Sequence, residues 1–177
     1  MKLRLLPIII TVVVSSAVLF GGWFMYQTVA MEDPLTHAVD SIDGVGDARI
    51  EVVRSGAIVR VTLEQGADLR ETYRRIKEAG SAVIGERKLT VEVVNEGSES
   101  LDRIWAQVMF DVAQAMETKQ YTLIPERLNK LVKENNNLKT TTEMDDDNVY
   151  ITLSDGSSTK YVILPRIPLT MGVWPNE

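Results

Sequence analysis

Apolar and polar positions follow three different rhythms along this chain. From Leu5 to Met31 no side chain is charged, a run of about 27 residues. Coiled as a helix it would span roughly 40 Å, against a hydrocarbon core of about 30 Å. Pro7 falls in the first turn, where its missing N–H costs little, and Ile8, Ile9, Ile10, Val12, Val13 and Val14 supply continuous apolar surface. Trp23, Phe24 and Tyr26 gather near the far end, at the level amphipathic rings prefer. The pattern predicts a transmembrane helix over 5–30, preceded by a cytoplasmic N-terminus at 1–4 and followed by a juxtamembrane linker at 31–34. Lys2 and Arg4 with the small residues at 28–30 also suit a secretory signal, but signal cores run about 7 to 15 residues and this one is longer. Lys2 and Arg4 precede the segment and no Lys or Arg follows until Arg49, which keeps the N-terminus cytoplasmic and sends residues 35–164 across as an extracytoplasmic domain.

After Pro34 the rhythm becomes helical: Leu35, Ala38, Val39 and Ile42 share one face, and Gly44 ends it. It then turns to period two. Ile50 and Val52 alternate with Arg49 and Glu51, a turn follows at Arg54, Ser55 and Gly56, and Val59, Val61 and Leu63 alternate with Arg60 and Thr62, the pattern of a hairpin. Asp68 with Glu71 three residues on forms a capping box ahead of a helix that turns Leu69, Tyr73, Ile76 and Val83 inward, with Gly80 and Gly85 marking its end. Leu89, Val91 and Val93 make a third strand, returned beside the hairpin by the helical crossover.

The second half opens on Ser98 or Ser100 as cap of the longest helix after the anchor, with Leu101, Ile104, Trp105, Val108, Val112 and Met116 as a core stripe. Pro125 suits the first turn of another helix, with Leu128, Leu131 and Val132 inward and Asn135 to Asn137 stopping it. A strand runs through Thr140, Thr142 and Met144. A terminal hairpin places Val149, Ile151 and Leu153 against Tyr161 to Leu164 across a turn at Asp155 and Gly156. The predicted class is α+β: a transmembrane helix, then a single mixed, mostly antiparallel sheet with helices packed on one face, in the order αββαβ, αα and a terminal β-hairpin. In element order, the αββαβ run over about 35–94 resembles the small modules that build rings and scaffolds outside bacterial inner membranes in secretion and sporulation machines.

Charge narrows the function classes. The chain holds 19 Lys and Arg against 25 Asp and Glu, a net −6, and the part beyond Lys2 and Arg4 is two charges more negative. That field repels phosphate backbones, so no nucleic-acid partner is expected. With no cysteine, disulfides, thiolate metal sites and cysteine nucleophiles are excluded, and the domain must depend on its core.

Candidate chemistry is sparse. His37 is the sole histidine, so a histidine metal cluster is excluded and a Ser-His-Asp triad would have to use this residue. Asp145, Asp146, Asp147 and Asn148 offer oxygens for a hard cation but lack EF-hand spacing, and they also suit a solvated turn. Gly44, Val45 and Gly46 precede a strand, the wrong order for a dinucleotide fingerprint. Arg70, Arg74, Arg75 and Lys77 give one helix a basic side suited to an anionic envelope polymer, lipid headgroups or an acidic partner; Glu71 and Glu78 on the same helix suit a solvated, internally paired face instead. The tail at 165–177 carries Ile167, Leu169, Met171, Val173 and Trp174, too apolar to remain in water, and suits packing on the domain, on another protein or on the membrane. No cofactor and no enzymatic activity are expected. The leading expectation is a single-pass membrane protein whose external domain binds proteins or a second copy of itself as an accessory of an envelope complex. The alternative is an external module for a small ligand or anionic polymer.

Overall fold

A computed structural model describes residues 5–27, 32–53 and 55–166. Helix α1 covers Leu5–Gln27. Its side chains are described for residues 9–23, a stretch rising about 22 Å, and among the described residues no helix is long and apolar enough to cross a membrane. The segment expected over 5–30 extends past that stretch at both ends. Beyond it come α2 (Asp33–Asp40), β1 (Val45–Val53), β2 (Gly56–Leu63), α3 (Leu69–Ile84) and β3 (Lys88–Val93). The second half supplies α4 (Glu99–Glu117), α5 (Leu123–Glu134), β4 (Lys139–Met144), β5 (Asn148–Ser154) and β6 (Thr159–Pro165). The class is α+β, in the element order the periodicity predicts.

The single sheet is corrected to two. Strands β1-β2-β3 form one three-stranded sheet and β4-β5-β6 another. In the first, β1 and β2 are antiparallel and β2 and β3 parallel, because α3 carries the chain back to the starting edge. The second is an antiparallel meander whose strands are adjacent in sequence and pair at once. Each sheet closes over its own core. Val59, Val61 and Leu89 meet Leu35, Val39 and Ile76 from α2 and α3, while Val149, Ile151 and Leu153 meet Val108, Val112, Ile124 and Leu128 from α4 and α5. The apolar stripe of α4 belongs to the second core alone.

Helices do lie on one face of each sheet, but the reverse faces differ. That of the first sheet is wet, with Arg60 ion-paired to Glu51 at 2.8 Å and to Glu92 at 2.9 Å. That of the second is covered: Tyr150 and Tyr161 pack with Leu69 from α3, joined by Leu63, Tyr73 and Val93. Helices on one face alone do not describe the second sheet, because the apolar stripe of α3 continues through Leu69 and Tyr73 at its N-terminal end onto that face.

Two glycines are explained by close approach. Gly80 does not end α3 but lies buried inside it, where an added Cβ would stand 2.5 Å from Leu89 Cδ2. At Gly56 a Cβ would fall 1.8 Å from the Lys88 carbonyl oxygen, so only glycine lets β3 pair at that register. Ser98 and Asp68 cap α4 and α3, accepting from the backbone N–H of Leu101 at 3.3 Å and of Glu71 at 2.9 Å.

Candidate interaction surfaces

Of the candidate residues, the four basic ones on α3 are all engaged within the chain. Arg70 pairs with Glu143 of β4 at 3.2 Å. Arg74 bonds Glu71 at 2.8 Å and Glu78 at 2.5 Å, and Arg75 bonds Glu71 at 2.8 Å. Lys77 turns inward and donates to the Leu89 carbonyl at 3.2 Å. Held between two guanidinium groups, the Glu71 carboxyl titrates at about 2, well under its ordinary 4.5. Exposed pairs of this kind contribute little stability, but they cancel the field that would recruit a polyanion. The basic side is a balanced helix face.

The Asp145 to Asn148 turn is likewise occupied from within. One Asp145 oxygen takes the backbone N–H groups of Asp147 at 2.9 Å and Asn148 at 2.7 Å, and the other takes the Tyr150 hydroxyl at 2.7 Å. Burial raises the carboxyl's pKa, but those donors outweigh it and hold it below the ordinary value. Tyr150 is pushed above the usual phenol range, by burial first and then by Asp145. Its ring meets Tyr73 at 5.7 Å between centroids. Among the described residues no group of three or more His, Asp and Glu is placed to hold a metal. His37 lies exposed on α2, and Gly44 leads into β1 with φ +91°.

Among the described residues of the domain, α4 carries an exposed apolar surface. Leu101, Val108, Val112 and Ala115 are buried as a stripe, whereas Ile104, Trp105 and Met116, expected in the core, are only half-buried. A second apolar line runs down the opposite side through Ala106, Met109, Phe110 and Ala113, all exposed, with Phe110 at 76% and Met109 at 40%. Beside this line a groove of about 460 Å³ opens between α4 and the end of β6, floored by Trp105, Val112, Met116 and Leu164. The spacing 106, 109, 110, 113 was visible in the sequence as a second set at i, i+3, i+4 and i+7, masked by the stronger stripe alongside it. Ile167, Leu169, Met171 and Trp174, the apolar candidates of the tail, lie outside the described residues.

No family model, curated protein or solved structure matches the chain.

Proposed function

We propose that this chain is a single-pass membrane protein, N-terminus in the cytoplasm, whose external α+β domain works by binding protein in an envelope assembly rather than by catalysis. The observation that carries the protein-binding part is Phe110, three-quarters exposed in the middle of a helix whose other side is fully packed. Burying such a ring contributes about 1.5–3 kcal/mol, and exposed apolar surface concentrated on one helix side marks an interaction site. Aromatic residues and methionine are also the types enriched at protein interfaces. The membrane part is supported by the uncharged run from Leu5 to Met31, by Lys2 and Arg4 ahead of it, and by exposed apolar side chains along α1 such as Leu19 at 72% and Phe20 at 77%. Lipid is the solvent in which that exposure carries no penalty.

A photoreactive amino acid placed at Phe110 in intact membranes tests the reading. A discrete protein adduct, the same from one preparation to the next and missing when the probe stands at Arg49 on the wet face of the first sheet, is expected. Monomer alone from both positions contradicts it. The reading that α3 recruits an anionic polymer is disfavoured by the internal pairing of Arg70, Arg74, Arg75 and Lys77.

A further inference from the structure

We propose that the outer face of α4 receives a second copy of this chain, the two α4 helices packing antiparallel about a two-fold axis beside Phe110. The inference rests on reading that face as a protein-binding surface, and it names the partner. The exposed apolar residues Ala106, Met109, Phe110 and Ala113 stand at i, i+3, i+4 and i+7. That spacing outlines one hole of knobs-into-holes packing, which a large side chain of a facing helix fills. The face also holds such a knob. Phe110 is 76% exposed, and the alanines at the two ends of the hole leave room for a partner's ring between them. A helix with a hole and its knob at one level is self-complementary, as a two-fold contact requires.

Charge sets the direction. Arg103 and Glu117 lie seven residues to either side of Phe110, two turns each way, so all three share one side of α4. Both are exposed, and among the described residues neither is ion-paired; Arg103 donates through Nε to the Glu99 carbonyl of its own helix at 3.2 Å. By contrast, Asp102 and Asp111 on the flanks of the helix are engaged, with Lys160 at 2.7 Å and Arg127 at 3.7 Å. Antiparallel packing about Phe110 brings Arg103 of each copy level with Glu117 of the other, closing two ion pairs about 21 Å apart. Parallel packing would set Arg103 against Arg103 and Glu117 against Glu117. Between those ends the face presents Gln107 and Gln114 beside its apolar residues, so no like charges meet.

A contact one helix wide falls at the low end of specific interfaces, under about 1,200 Å². On the proposed anchorage two chains meet within one membrane at a raised effective concentration, where a weak interface suffices. A different protein would need its own ring and its own opposite charges at the same spacing, which a second copy already brings.

The absence of cysteine makes the test direct. Full-length Ala106→Cys and Ala113→Cys chains with different tags are produced together in membranes and mildly oxidised. Antiparallel packing about Phe110 sets position 106 of one copy beside 113 of the other. Each position lies about 9–12 Å along the axis from its own counterpart, too far for a disulfide, whose Cα atoms stand about 4.4–6.8 Å apart. The mixed dimer is therefore expected, and neither like-with-like dimer. Like-with-like disulfides, or none from any pairing, overturn the inference. Adding Arg103→Glu to both chains should cut the mixed yield about tenfold, by two lost pairs and two new repulsions. Adding Glu117→Arg as well restores both pairs in swapped order and should recover it; a double variant no better than the single contradicts the register. A Phe110 photoadduct with a different protein, and no disulfide between α4 helices, would remove the second copy and leave the protein-binding reading standing.

Discussion

The side-chain amide of Asn95 holds both backbone groups of Tyr161, accepting from its N–H at 2.6 Å and donating to its C=O at 2.9 Å. A strand residue points both groups to the same side, so the carboxamide sits on the free edge of β6 as a neighbouring peptide would. Two residues earlier β3 ends, and the Val94 N–H still bonds the Val61 carbonyl at 2.7 Å within the first sheet. At this edge a side chain thus stands where a backbone ladder would, and the chain leaves through Gly97 into α4.

Replacing Asn95 therefore tests the seam. Asn95→Ala should cost about 1–3 kcal/mol, since it leaves two half-buried backbone groups unpaired. Asn95→Asp keeps an acceptor for the Tyr161 N–H but sets a second oxygen against the carbonyl. It should be the worse variant at neutral pH and recover on acidification, when the acid can donate. Urea midpoints of the full-length protein in detergent, measured at pH 7 and pH 4, check both.

Gly56→Ala puts a methyl where the Lys88 carbonyl oxygen stands, a backbone atom that no rotamer change can move. Overpacking of this kind costs about 1–3 kcal/mol. Gly80→Ala meets only the ends of the Leu89 and Leu35 side chains and gains helix propensity, so it should be the milder of the two. Parallel urea titrations of the two variants rank them, and a Gly56→Ala protein as stable as the parent would refute the proposed close approach.

The Glu71 carboxyl sits at about 2 in the folded protein because Arg74 and then Arg75 bond it. A depressed folded pKa means that its contribution is complete above the ordinary 4.5 and is lost as pH falls from there through about 2. Thermal midpoints of Glu71→Gln should therefore fall less steeply than those of the parent between pH 5 and pH 2, and added salt should narrow the gap. Parallel slopes would show that the two pairs are not populated in solution.

Tyr150→Phe removes the hydroxyl bonded to Asp145 and should cost about 1.5–3 kcal/mol, the range for hydrogen bonds to charged groups. The phenol's raised folded pKa gives stability that is present below the ordinary 10 and fades as pH rises. Ultraviolet titration should show Tyr73, Tyr150 and Tyr161 ionising late, all raised by burial first, with a late step missing in the variant.

Local signals carried the fold and long-range ones did not. Asp68 and Ser98 announce their helices because a cap is settled within one turn. Ile50 against Arg49 and Val59 against Arg60 announce their strands, because alternation is a property of the strand itself. Whether β3 and β6 share a ladder depends on an amide 66 residues away from its partner, and no periodicity encodes that. The candidate site divided in the same way. The charges of α3 were legible as charges, but Arg70 meeting Glu143 and Lys77 turning to the Leu89 carbonyl are tertiary facts. Phe110 escaped because α4 bears apolar residues on two sides, and only packing decides which side the core takes.

The placement of the domain across a membrane is the claim on which the rest depends, and the cysteine-free sequence offers a clean measurement of it. Asn136→Cys, exposed after α5, and Lys2→Cys are treated in intact cells with a membrane-impermeant maleimide. The account predicts that Asn136→Cys is labelled without permeabilisation and Lys2→Cys only after it. Labelling of Asn136→Cys only once the cells are opened would contradict it.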